Sequence, residues 1–83
     1  MTSVLTRLIQ WFRRISLARA LRSTALDMAV TREHLSMAEA DLEVGLPPEI
    51  HWDIQRDVVE LRARLAALVA RADYIRSCQA SLP

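Results

Sequence analysis

The chain has 83 residues, of which 52% are hydrophobic and 25% charged, with one Gly, three Pro and a formal net charge of +1. That apolar content excludes a disordered chain, and the length excludes a multidomain enzyme or a large active-site cleft. Cys78 is the single cysteine, which rules out an intramolecular disulfide and a cysteine-rich metal site.

No run approaches the ~18 uncharged apolar residues that a membrane-spanning helix needs. The start of the chain is amphipathic. Val4, Leu5, Leu8, Trp11, Phe12 and Ile15 form its apolar side, with Arg7, Arg13 and Arg14 across from them. A secretory signal places its charge first and its apolar stretch second, and here the order is reversed. Residues 1–26 carry five arginines (Arg7, Arg13, Arg14, Arg19 and Arg22) and no acid, whereas residues 27–83 carry six arginines against ten acids, a split of +5 and −4. Halves of opposite sign suit head-to-tail self-association or an acidic target for the basic end.

Residues 17–44 predict a helix with a 4-3 apolar series: Leu17, Leu21, Thr24, Met28, Thr31, Leu35, Ala38 and Leu42. A second stripe on the same helix, roughly opposite, runs on from the N-terminal apolar side through Leu26, Val30, Met37 and Val44. Arg19, Arg22 and Glu33 interrupt it. The stripe changes side over 15–22, and the pattern leaves the continuity of the helix there open.

Residues 45–48 predict a sharp turn. Gly45 takes the left-handed conformation without a Cβ penalty, Pro47 forbids continuation, and Pro48 suits the first position of a new helix. Helix two, over 49–78, repeats the 4-3 spacing with Ile54, Val58, Leu61, Leu65, Leu68, Ala72 and Ile75. Glu49 and Asp53 favour its positive N-terminal end, and Glu60 and Arg64 stand at pairing distance. Away from the seam lie Trp52, Val59, Tyr74 and a ridge of alanines. Residues 79–83 read as a frayed tail.

Folding back at the turn sets Leu42 near Ile50 and Leu35 near Val58. The predicted fold is therefore all-α: an antiparallel, coiled-coil-like hairpin of two long helices, with residues 1–16 as a basic overhang. Such a hairpin hides only one side of each helix. The expectation is assembly into a four-helix bundle or docking on a partner, because a helix apolar on two sides is normally buried on two sides.

Reaction chemistry finds no constellation. His34, His51 and Cys78 are far apart in sequence and lack the spacing of a helical zinc site. Ser36 near His34 has no acid set to orient the histidine, and one glycine cannot build a phosphate loop. No catalytic residue, cofactor, metal or small-molecule substrate is expected.

The sequence thus predicts a non-enzymatic protein–protein interaction module, of the adaptor, co-chaperone or inhibitor kind. Its contact residues are Val4, Leu5, Leu8, Trp11, Phe12, Ile15, Leu26, Val30, Met37, Trp52 and Tyr74, and its basic patch is Arg7, Arg13, Arg14, Arg19 and Arg22. The partner is a second copy of the chain or a larger protein, in the cytoplasm. An alternative is a peripheral membrane protein held at the inner membrane surface by the amphipathic start, where Trp and Arg suit the interface. Nucleic-acid binding ranks below both, because the acidic remainder repels phosphate. Absence of lysine with abundant Arg and Ala fits a GC-rich bacterial or phage genome.

Overall fold

The computed structural model describes residues 3–82. Met1, Thr2 and Pro83 lie outside the described residues, and with them the outermost parts of the expected overhang and tail. Two helices make up the fold: α1, Val4–Leu42, and α2, Pro48–Ala80. They pack side by side as a hairpin whose Cα extents are 70 × 14 × 14 Å.

Ser3 starts α1. Its backbone is extended, and its Oγ accepts the Thr6 N–H at 3.2 Å, which satisfies one of the free donors of the first turn. From Val4 to Leu42 there is neither Gly nor Pro, and α1 is unbroken through residues 15–22. It ends by tightening: Glu43 N–H bonds to Ala40 O at 3.1 Å and Val44 N–H to Asp41 O at 3.3 Å. Gly45 then adopts φ +63°, the left-handed value expected of it. Pro47 is extended, Pro48 begins α2, and His51 N–H closes the first bond of the new helix onto Pro47 O at 2.9 Å.

The 4-3 series of both helices face each other. Every residue predicted for the seam is buried or half-buried, from Leu17 to Leu42 on α1 and from Ile54 to Ile75 on α2. Among the described residues Thr24, Thr31, Val58, Ala72 and Ile75 are buried. Small and β-branched side chains thus occupy the deepest positions, while the larger Leu21, Met28, Leu61 and Leu65 stay half-exposed at the margins.

Two threonines in an apolar seam would be costly if their hydroxyls lacked partners. Both donate back along their own helix, Thr24 Oγ1 to Ala20 O at 2.8 Å and Thr31 Oγ1 to Asp27 O at 2.7 Å. Among the described residues no buried side-chain polar atom lacks a hydrogen-bond partner.

In the first turn of α2 the half-buried residue is His51, not its neighbour Ile50, which is 49% exposed. His51 continues the 4-3 spacing of Ile54 and Val58 backwards by one step, so Ile50 falls outside the seam. At the other end α2 reaches Ala80, and Ser81 and Leu82 fold against it through Ser81 N–H to Ser77 O at 3.2 Å and Leu82 N–H to Gln79 O at 3.3 Å. Ser81 Oγ also donates to Cys78 O at 2.9 Å. Gln79 and Leu82 are half-buried, so the described part of the tail is held in place.

Candidate interaction surfaces

The last turn of α2 brings Cys78, Ser81 and Leu82 beside Arg13 and Leu17 of α1. Ile15 is half-buried at this level, which sets it apart from the other apolar residues of the N-terminal stripe. Among the described residues, the part of α1 that projects past α2 therefore runs from Val4 to about Phe12, ~13 Å at the helical rise.

On that projecting segment Val4 is 77% exposed, and Leu5, Leu8, Ile9, Trp11 and Phe12 are all at least about half exposed. Trp11 and Phe12 pack edge to face, ring centroids 5.2 Å apart at 69°, a favoured arrangement for aromatic quadrupoles. Arg7, Arg13 and Arg14 stand on the same two turns. Further along α1, Leu26, Val30 and Met37 are exposed, and so are Trp52, Val59 and Tyr74 on α2. At the turn end Trp52 forms a shallow groove with Pro48, Glu49 and Asp53, so its indole is flanked by two carboxylates.

A second groove lies between the helices near the turn. His34, Met37, Ala38 and Asp41 line one wall, Ile54, Asp57, Glu60, Leu61 and Arg64 the other. It is open and lacks the enclosure that would tune a catalytic carboxylate. Glu60 and Arg64 face this groove. Ion pairs among the described residues include Glu39–Arg62 across the helices at 3.2 Å, and Asp53–Arg56 and Asp73–Arg76 along α2 at 3.3 and 3.4 Å. All are exposed, where such pairs contribute ~0–1 kcal/mol each.

His34 flanks the seam beside Ala38, His51 sits at the turn and Cys78 at the far end. Among the described residues no group of three or more His, Cys, Asp or Glu stands close enough to hold a metal ion. Nor is any described helix long and apolar enough to cross a membrane.

Charge is distributed by end. The fold returns Arg71 and Arg76 of α2 to the side of Arg7, Arg13, Arg14, Arg19 and Arg22 of α1, with Asp73 the sole acidic residue among residues 1–26 and 67–83. The open end therefore carries +6. Residues 27–66, which form the turn end, hold nine acidic residues against Arg32, Arg56, Arg62 and Arg64, a net −5. The asymmetry already present along the chain is thus kept and slightly sharpened by the fold.

Compared with protein-family models, curated proteins and solved structures, the chain has no significant match in any of the three.

Proposed function

We propose that the protein is a non-enzymatic interaction module that self-associates through the apolar faces its hairpin leaves open. One observation carries this reading. A compact monomer of this mass would expose about 5,000 Å², whereas the hairpin exposes 6663 Å², and the excess includes large apolar side chains aligned along the rod. Its radius of gyration is 19.3 Å, against ~12 Å for a compact chain of this length. A stable interface buries about 1,600 Å² in total, ~800 Å² on each partner, so association with one like rod would remove about half of that excess from water.

Energetics point the same way. Burying a large apolar side chain contributes ~1.5–3 kcal/mol, while ordering each residue costs ~1–2 kcal/mol of backbone entropy. A seam in which few residues are deeply buried leaves a lone hairpin marginal. Sedimentation equilibrium over a range of concentrations tests the reading. The expected mass exceeds the 9.4 kDa of one chain. A compact, heat-stable monomer at all concentrations would rule it out.

A second reading has its own support. The projecting Trp11–Phe12 pair with Arg7, Arg13 and Arg14 has the composition of a helix lying in a lipid headgroup layer. Flotation with anionic vesicles separates the two: membrane anchoring requires co-flotation that is lost when Trp11 and Phe12 are replaced by Ser.

A further inference from the structure

The exposed stripe of α1 has a spacing of its own. Leu5, Ile9 and Phe12, then Leu26, Val30 and Met37, fall on a second 4-3 series set about half a turn from the hairpin seam and completed by Val44 beyond the helix end. Leu5, Leu26 and Val44 are 68 to 69% exposed. A 4-3 series has the form of one half of a coiled-coil seam, and a helix bearing two of them is built to pack on both sides.

We infer that the occupant of this second seam is another copy of the chain, packed antiparallel along α1, with the basic open end of each rod over the acidic turn end of the other. This rests on the self-association reading above and specifies its geometry. Charge selects the copy and its direction, and the spacing accommodates it. First, the ends carry +6 and −5. Parallel packing would set like against like over the whole rod, whereas antiparallel packing sets opposites together at both ends. Second, the series matches itself in reverse. From Leu5 forward its steps are 4, 3, 4, 3, and from Val44 backward they are again 4, 3, 4, 3. Leu5 then meets Val44 of the second copy, Ile9 meets Ala40 and Phe12 meets Met37.

Two interruptions of the stripe, Arg19 and Glu33, are accounted for by the same register. In the middle of the seam Ser16 comes opposite Glu33 of the second copy, and Arg19 comes one step further on, within reach of that carboxylate. Each Arg19 thus has a Glu33 beside it, twice by symmetry, and the two-fold axis passes between Ser23 and Leu26. A parallel pair would stack Arg19 on Arg19 and Glu33 on Glu33. The interface is isologous and closes as a dimer of hairpins, a four-helix assembly. A helix face ~58 Å long and ~10 Å wide is on the order of 600 Å², near the ~800 Å² per partner of stable complexes.

Site-specific cross-linking of the full chain tests direction and register together. In a Cys78→Ser background, Ile9→Cys chains are mixed with Ala40→Cys chains under mild oxidation. The expected product is the mixed disulfide, with little self-linking of either variant, because the two Ile9 positions of an antiparallel dimer lie ~46 Å apart along the axis. Independently, Arg19→Glu or Glu33→Arg alone should weaken the dimer about tenfold, and the two together in one chain should restore it. A dimer in which Ile9→Cys links to itself, or in which the double exchange restores nothing, overturns this arrangement while leaving self-association standing. A chain that stays monomeric and floats with anionic vesicles overturns both.

Discussion

Thr31 offers the sharpest test of how the hairpin seam is held. It is 3% exposed, and its Oγ1 donates to Asp27 O at 2.7 Å. That carbonyl already accepts the helical N–H four residues on, so the hydroxyl supplies a second bond that the carbonyl does not need. Thr31→Val preserves the β-branched shape and its rotamer preference in a helix while exchanging the buried hydroxyl for a methyl. The lost hydrogen bond is worth ~1 kcal/mol, net of the desolvation of the hydroxyl. Against it stands the added apolar burial, ~0.8 kcal/mol per carbon. The two nearly cancel, so Thr31→Val should melt within about 4 °C of the parent. Circular dichroism melts at 222 nm measure it, at one fixed protein concentration because self-association makes Tm concentration-dependent. Thr31→Ser is the control: it keeps the hydroxyl, loses the methyl and should melt well below the parent. If Thr31→Val melts as low as Thr31→Ser, the hydroxyl has a role in the seam beyond satisfying itself, and the reasoning fails.

Other substitutions follow from the same geometry. Gly45→Ala places a Cβ where nothing lies within 4 Å, so its cost comes from φ +63° alone; a loss of ~1–2 kcal/mol is expected, and an unchanged Tm would show that the turn adopts another conformation freely. Glu39→Gln removes the Glu39–Arg62 ion pair, which joins the two helices between side chains 45% and 64% exposed; less than ~1 kcal/mol should be lost, and a larger drop in Tm would mean that the pair sets the register of the hairpin.

Hydrophobic spacing and turn chemistry alone determine much of this molecule. Each seam residue from Leu17 to Ile75 was legible because a 4-3 repeat admits one shared face, and Gly45-Leu46-Pro47-Pro48 was legible because its backbone preferences are local. The depth ranking was not. Thr24 and Ala72 are the most buried side chains, at 1% and 2% exposure, since small residues let two backbones approach while larger ones are pushed to the margins. His51 in place of Ile50 at the turn, and Ile15 half-covered at the open end, depend on where α2 begins and stops, which composition does not specify. The charge polarity of the rod is only partly a tertiary property. The basic start and acidic remainder are visible along the chain, but Arg71 and Arg76 lie nearly fifty residues or more from the N-terminal arginines, and only the antiparallel return of the second helix brings them to the same end.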